Sequence, residues 1–286
     1  ADIIVAGGME SLSIAPYLLP KGSTGFRLGD GQVVDSLIYD GLRDAFGGQH
    51  MGECGDACAE KYHLSREVQD AYAIESYRRA QHAIESGAFR DEIVAVSIPQ
   101  KKGPALVVDT DEEPAKVKFD RVPTLSPVFS KNGTVTAANA SSISDGAAAV
   151  VVMSEERAKA LKLKPLATIV AQAEASHEPE WFTTAPVKAV QTVLKRAGLR
   201  ADDIDLFEIN EAFAVVTMVA IKELGLDPRK VNVNGGAVAL GHPLGATGAR
   251  LLTTLLYALQ ARGARRGLVS LCNGGGEATA MIVERS

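Results

Sequence analysis

The sequence predicts an α/β protein made of two similar halves, of which the first is incomplete and carries an inserted loop domain. Short apolar strands alternate with helices at both ends of the chain, as expected for sheets that are covered on both faces. Residues 14–143 lack this alternation and hold several Gly/Pro turns around one long helix, predicted at about 65–86. The motifs at the two ends of the chain also resemble each other, which suggests a duplication.

The predicted strands share continuous runs of small or branched apolar residues. They are 2–6, 149–153, 166–172, 205–209, 230–233, 267–271 and 278–283. The ends of the helices between them can be predicted from proline and glycine positions. Pro186 suits a first helical position and Gly198 a helix end, a second helix runs from about 244 to 262, and Gly263 ends it. The helix that follows Asn210 is apolar on nearly all sides, which predicts a buried position.

The internal repeat pairs residues 5–10 with 271–277, and residues 145–154 with 276–286. In each copy a strand, a glycine turn and a final strand are expected in that order, with the inserted region inside the first copy. Equal copies would require roughly 100 further residues before Ala1, although chance similarity of Ala/Val strands remains an alternative. The predicted division is a remnant of the first half at 1–13, the loop domain at 14–143, the last strand and helix of the first half at 144–165, and the second half at 166–286.

The composition narrows the class of protein and its partners. The chain has 286 residues, 46% of them hydrophobic, and a net charge of −5, which is ordinary for a globular protein. Mild acidity argues against nucleic acid or an anionic membrane as the main partner, and the longest purely apolar run, 147–153, is too short to span a bilayer. Three cysteines give no disulfide framework, so a reducing cytoplasm is expected.

Three loops near the C-terminal end carry the candidate catalytic groups. Cys272 ends an apolar strand and enters a run of three glycines, whose backbone N–H groups favour an anion. His242 lies between Gly241 and Pro243, which fix the backbone and aim the imidazole as an acid or base. Asn210 follows a strand and starts a helix. Each has a structural alternative, namely a buried thiol, a histidine bonded to backbone and a helix cap.

Other patterns in the chain argue against competing sites. The glycines of 235–248 contain neither G-x-G-x-x-G nor G-x-x-x-x-G-K-[ST], so a nucleotide-binding loop and a dinucleotide oxidoreductase are disfavoured. Cys54 and Cys58 share a helical spacing but lack further ligands at metal-site spacing, so no metal site is predicted.

Taken together, the motifs resemble the thiolase family along the whole chain. The motifs that carry this resemblance are Gly7-Gly8-Met9-Glu10-Ser11, Asn210-Glu211-Ala212-Phe213-Ala214, Gly241-His242-Pro243-Leu244-Gly245 and Cys272-Asn273-Gly274-Gly275-Gly276. The resemblance implies a duplicated α/β/α/β/α layered fold with a loop domain. It also implies an acyltransferase that acts on coenzyme A thioesters through a cysteine acyl-enzyme, by reversible Claisen condensation and thiolysis.

The resemblance implies roles for particular residues. His242 matches the histidine that activates the nucleophilic thiol and helps to form an oxyanion hole, and Asn210 matches the asparagine that completes that hole through a water. Cys272 matches the acid/base at the acetyl α-carbon. Substrate or coenzyme contacts are implied for His50, Met51, Ser141, Phe213 and Gly274. The implied partners are acetyl-CoA, acyl-CoA or 3-ketoacyl-CoA and free CoA, with no other cofactor, no metal, and a homodimer or homotetramer.

One departure from the family pattern concerns the nucleophile. The family's acylated cysteine lies upstream of the Gly-Gly-Met-Glu-Ser motif, which here starts at Gly7, so the nucleophile is expected to be absent from this chain and activity to require a further N-terminal segment. Two alternatives stay open, a non-catalytic thiolase-like module that binds acyl-CoA and one piece of a split enzyme. The sequence leaves open the preferred acyl chain length and a biosynthetic or degradative role.

Overall fold

The computed structural model describes residues 1–285. The strands are β1 Ile3–Ser11, β2 Tyr17–Leu18, β3 Val34–Asp35, β4 Val96–Ile98, β5 Leu106–Val108, β6 Asp145–Met153, β7 Thr168–Ser176, β8 Leu206–Ile209, β9 Arg266–Asn273 and β10 Glu277–Glu284. The α-helices are α1 Met51–Tyr62, α2 Arg66–Ser86, α3 Glu113–Lys116, α4 Glu155–Ala160, α5 Ala185–Ala197, α6 Ala214–Leu224, α7 Ala237–Leu240 and α8 Thr247–Ala261. None of the helices in this range is long and apolar enough to cross a membrane.

The C-terminal part is built on a four-stranded sheet with the order β7-β10-β9-β8. β8 runs parallel to β9, whereas β10 pairs antiparallel with both β9 and β7. Helices α5 and α8 cover opposite faces of this sheet. Phe207 and Ile209 of β8 join the core that packs on α5, and Leu206 joins the core that packs on α8. Alternate residues of β8 therefore point to different helical layers.

Helix α5 begins and ends close to the residues predicted from its sequence. It starts beside Pro186 and ends before Gly198, whose φ of 65° is left-handed. Its apolar stripe, which includes Val190 and Val193, is fully buried against the sheet. The predicted helix after Asn210 is confirmed as α6, with Val215 and Val216 among its buried residues.

A second, two-stranded sheet joins the two ends of the inserted region. β1 and β6 pair antiparallel along their whole lengths, from Ile3 opposite Met153 to Ser11 opposite Asp145. The sheet packs on α8 from the side opposite the four-stranded sheet. A Cβ at Gly8 would overlap the backbone of Gly245, just before α8, so glycine is needed there for close approach.

Two predicted features of the strands are wrong. The glycine turn expected in the first copy of the repeat does not form, because β1 continues through Gly7 and Gly8 while pairing with β6. Residues 230–233 form only an isolated bridge from Val231 to Phe207, because Asn232 takes a left-handed φ of 47°. The side chain of Asn232 instead bonds both backbone groups of Ile209.

The region between β1 and β6 supplies α1 and α2, which pack on the C-terminal part. The long helix predicted at 65–86 is confirmed as α2. Helix α1 begins with a capping box: Gly52 N–H donates to His50 Nδ1 at 3.0 Å, and His50 N–H donates to Glu53 Oε2 at 2.7 Å. The domain boundaries proposed from the sequence at 13, 143 and 165 stay predictions.

Candidate active site

The end of the parallel strand pair places Asn210 and Cys272 side by side. Asn210 follows β8 directly, and its N–H donates to the carbonyl of Ser270 on β9 at 2.9 Å. Cys272 lies two residues farther along β9. Since neighbouring strands are roughly 5 Å apart, the two residues are separated by one strand spacing and about one residue step.

His242 reaches the same point from the loop before α8. One ring nitrogen, Nε2, lies 3.2 Å from Asn210 Nδ2, and the other, Nδ1, lies 2.7 Å from Thr247 Oγ1. The Thr247 hydroxyl donates its proton to the carbonyl of Pro243 at 2.8 Å, so it accepts from Nδ1. The ring therefore carries its proton on Nδ1, and Nε2 accepts from the Asn210 amide. This tautomer directs the single lone pair of Nε2 at the Asn210 amide, so a proton donor that reaches Nε2 has to displace that N–H.

The environment of His242 keeps the imidazole neutral. Burial, together with the smaller effect of the positive charge of Arg250, lowers its pKa to about 4. A neutral imidazole at neutral pH is a proton acceptor. Asn210 has one buried acceptor, Oδ1, without a partner in the described protein, which is the atom that a site water would meet.

Cys272 is a thiol held in its protonated form. Burial raises its pKa to about 12, and only its own backbone N–H acts in the opposite direction. A thiol of this kind holds its proton until a stronger base appears beside it. Once deprotonated, it is a much stronger base than an ordinary cysteine thiolate.

An aromatic cluster borders the thiol on the side of the inserted region. Phe213 stands edge-on to Phe129, with ring centroids 6.1 Å apart, and Phe129 stacks on His50 at 4.6 Å. Met51 belongs to the same buried cluster as Cys272 and Phe213.

Five residues were predicted to contact substrate or coenzyme, namely His50, Met51, Ser141, Phe213 and Gly274. Met51 Sδ lies beside Gly274, 3.0 Å from where a Cβ would be. Ser141 bonds the carbonyl of Ala212 through both its N–H and its hydroxyl, at 3.1 and 3.0 Å. The structure thus brings His50, Met51, Phe213 and Gly274 together and fixes Ser141 to the loop that follows Asn210. Their roles stay predictions.

Sequence reasoning missed Thr247, Phe129 and Arg250. Thr247 is the first residue of α8, five residues after His242. A hydroxyl at a helix start is a signal that could have identified it. Phe129 contacts His50 and Phe213, and Arg250 faces Glu208. These partners are distant in the sequence, so no local pattern identifies either residue. Among residues 1–285, no group of three or more His, Cys, Asp or Glu side chains is arranged to hold a metal ion.

The backbone at Gly241 aims His242 and yields a first prediction. Gly241 has φ 93° and ψ 166°, a region open essentially to glycine alone, and a Cβ there would overlap the Ser144 hydroxyl. Gly241→Ala is expected to lower the free energy of unfolding by roughly 2–4 kcal/mol, measured by urea denaturation. Gly263→Ala is the control, because its φ of 61° is left-handed but the space around it is open. An equal loss in both variants would contradict the packing argument.

Family models match both parts of the chain. The model described as thiolase, N-terminal domain, matches residues 1–156, and that for the thiolase C-terminal domain matches residues 163–285. The N-terminal match begins at residue 1, so it gives no support to the expectation that the first half is incomplete. The acylated cysteine expected upstream is likewise not shown by these matches.

Curated relatives and a solved structure agree with the family matches. A probable acetyl-CoA acetyltransferase of Dictyostelium discoideum is 50% identical over 99% of this chain and 68% of its own length. The acetyl-CoA acetyltransferase of Schizosaccharomyces pombe is 49% identical over the whole chain and 72% of its own length. A crystal structure of an Ascaris suum thiolase in complex with coenzyme A superimposes with a TM-score of 0.93 at 48% identity, covering 100% of this chain and 72% of that one. Relatives from Gibberella zeae and Bos taurus have names that place one in the cytosol and one in mitochondria.

Proposed function

Because the chain belongs to the thiolase family, we propose that the protein is an acetyl-CoA acetyltransferase, which interconverts two molecules of acetyl-CoA with acetoacetyl-CoA and free CoA. The names of the relatives at about 50% identity support the acetyl specificity, and the coenzyme A bound to the Ascaris thiolase supports the substrate class. The observation that carries the proposal is the Asn210–His242 contact of 3.2 Å beside the buried thiol of Cys272.

In the thiolytic direction, His242 prepares the first step. Its neutral Nε2 gives up the hydrogen bond from the Asn210 amide and accepts the proton of the attacking thiol, which then adds to the ketone carbon of acetoacetyl-CoA. The resulting imidazolium and a water held by the Asn210 amide stabilise the oxyanion. Thr247 keeps the ring in the required tautomer, because its own hydroxyl proton is committed to Pro243.

Cys272 completes the cleavage. When the bond between the two carbons breaks, its electron pair passes to the α-carbon of the departing acetyl-CoA, and the Cys272 thiol donates a proton there. The Cys272 thiolate then takes the proton of the incoming CoA thiol, which attacks the acetyl-enzyme. The displaced enzyme thiolate recovers its proton from His242, so all protons are accounted for. Condensation is the reverse sequence, with Cys272 as base.

We further propose that the acyl group is carried by a thiol other than the three in this sequence. Cys54 is buried, and burial together with the neighbouring carboxylates of Asp44 and Glu53 raises its pKa to about 11. Burial also raises the pKa of Cys58. An acyl-carrying thiol needs the opposite environment, in which a base or positive charge favours the thiolate. Cytoplasmic location and a dimeric or tetrameric state are part of the same proposal.

The test uses the full-length protein with acetoacetyl-CoA and CoA. We expect loss of the acetoacetyl-CoA absorbance with formation of two acetyl-CoA per turnover, and peptide mass spectrometry after incubation with acetyl-CoA should find the acetyl group on a cysteine other than Cys54, Cys58 or Cys272. Acetylation at one of these three would overturn the second proposal alone. Saturable CoA binding without any turnover would overturn the enzymatic proposal and favour a binding module.

A further inference from the structure

Two successive pairs of side chains connect β8 with α8. In the first, Asn210 contacts His242, which is bonded to Thr247 in the first turn of α8. In the second, Glu208 faces Arg250 at 3.6 Å. Residues 208 and 210 point to the same side of the strand because side chains alternate, and residues 247 and 250 share one face of the helix. The second pair therefore lies directly behind the catalytic one.

The second pair is largely buried, and its polar atoms lack hydrogen-bond partners within the described residues. Glu208 is 1% exposed, and neither of its oxygens makes a hydrogen bond within the described residues. Both terminal nitrogens of Arg250 are also buried without a hydrogen-bond partner there. Buried polar groups in this state need an explanation, and a good structural ion pair would show direct hydrogen bonds.

The charge of Arg250 is only weakly balanced by its surroundings. Burial outweighs the attraction of Arg250 and raises the pKa of Glu208 to about 8, so this carboxyl is largely protonated at neutral pH. Glu92, which accepts from Thr254 of α8 at 3.3 Å, has its pKa raised by burial to about 7. Burial raises the pKa of Asp111 as well. The guanidinium thus lies among carboxyls whose ionisation is disfavoured by burial.

We propose that Arg250 is a positioning residue of the proposed acetyltransferase site. Its guanidinium lies one helical turn behind Thr247 and acts on His242 by charge repulsion, which adds to the effect of burial in keeping the imidazole unprotonated and ready to accept the thiol proton. Glu208 places the guanidinium without neutralising it. Arg250 lines a cavity of about 770 Å³ together with Gly241 and Pro243, the two neighbours of His242 in the sequence.

The consequence for the reaction follows from the same repulsion. Once His242 has taken the thiol proton, the new imidazolium faces the fixed charge of Arg250, so it returns that proton readily when the enzyme thiolate is released. Without Arg250 the ring would be a stronger base at rest and a weaker acid afterwards. The inference rests on the proposed function for its catalytic meaning, but its electrostatic part can be measured independently.

The test measures the pKa of His242 directly by NMR of ring-labelled histidine in the full-length protein. Arg250→Met, which keeps the length of the side chain but removes the charge, is expected to raise this pKa by about one unit. Arg250→Lys should leave it within a few tenths of a unit because the charge remains. Glu208→Gln is the matched packing control: its carboxyl is already protonated where His242 titrates, so little change is expected.

The kinetic arm uses the pH profile of kcat/KM for acetoacetyl-CoA thiolysis. In Arg250→Met the acidic limb should move to higher pH by the same amount as the pKa of His242, and Arg250→Lys should restore it. Equal effects of Met and Lys on both measurements, or no effect of Met on the pKa, would show that Arg250 is merely structural. An inactive wild-type protein in which the Met and Lys variants still differ in the His242 pKa would overturn the proposed function and leave the electrostatic coupling standing.

Discussion

Replacing Cys272 by alanine is expected to lower kcat for acetoacetyl-CoA thiolysis by about 10³-fold, the middle of the range for a positioned proton donor. The thiol is the group beside the Asn210–His242 pair with a proton to give, because burial holds its pKa at about 12. Without it, the carbanion that forms on C–C cleavage has no acid in place. KM for acetoacetyl-CoA should change much less, since the side chain is small and the aromatic cluster that borders it remains.

A partial reaction separates this chemical role from a structural one. Exchange of labelled CoA into acetyl-CoA forms no carbanion, and a CoA thiolate can leave or attack with water in place of Cys272, so Cys272→Ala should lose less in this exchange than in thiolysis. Exchange of the acetyl α-protons with deuterated water should fall by the same factor as thiolysis. Parallel losses in all three reactions would contradict the proposed role.

Cys58→Ala provides a matched control for the loss of a buried thiol. Cys58 is fully buried in the same apolar cluster as Cys272 but lies on α1, outside the group of Asn210 and His242. This variant should keep kcat within about twofold of wild type and lose roughly 1 kcal/mol of stability through the small cavity left behind.

The proximity of Asn210 and Cys272 could be predicted because it depends on strand ends. Asn210 and Cys272 each follow an apolar run that reads as a strand, and the ends of neighbouring parallel strands meet at one edge of a sheet. The glycine and proline that flank His242 also predicted a rigid loop. Local patterns of this kind depend only on a residue and its immediate neighbours. For the same reason Pro186 and Gly198 predicted the two ends of helix α5 correctly.

The features that were missed depend on partners that are distant in the sequence. Asn232 breaks the strand predicted at 230–233 because its side chain is needed at Ile209, on a neighbouring strand. β1 passes through two glycines because β6 holds them in register. The pair of Glu208 and Arg250 likewise exists only once α8 packs on β8. No periodicity within either segment carries this information.

Glu211 shows the same dependence on tertiary context, and its removal should have the largest effect on stability. The sequence suggested only a carboxylate near a helix start. In the structure it is 1% exposed and accepts four hydrogen bonds. Their donors are Tyr72 Oη at 2.7 Å, Ser76 Oγ at 2.7 Å, Asn232 Nδ2 at 2.9 Å and Val238 N at 3.1 Å. The first two lie on α2, so this one carboxyl ties the inserted region to the C-terminal part.

Glu211→Ala is expected to lower the free energy of unfolding by roughly 3–5 kcal/mol, because four buried donors lose their acceptor at once. Urea denaturation followed by far-UV circular dichroism measures the loss. Glu211→Gln should cost less, since the amide oxygen still accepts from two donors. The Ser76 hydroxyl can reorient to accept from the amide NH₂. Only the Val238 N–H would then face another donor in place of an acceptor.

Glu75→Ala is the matched control on α2. Glu75 pairs with Arg79 at 2.8 Å, but its side chain is 52% exposed, so its loss should cost less than about 0.5 kcal/mol. Proteolysis adds a local readout: in Glu211→Ala the segment around α2 should be cut before the C-terminal sheet, because the contact that joins them is gone. If Glu211→Ala were no less stable than Glu75→Ala, the four hydrogen bonds would contribute nothing net to holding α2 in place. Apolar packing, including that of Ala73 and Ala80 against Val238 of α7, would then hold the two parts together.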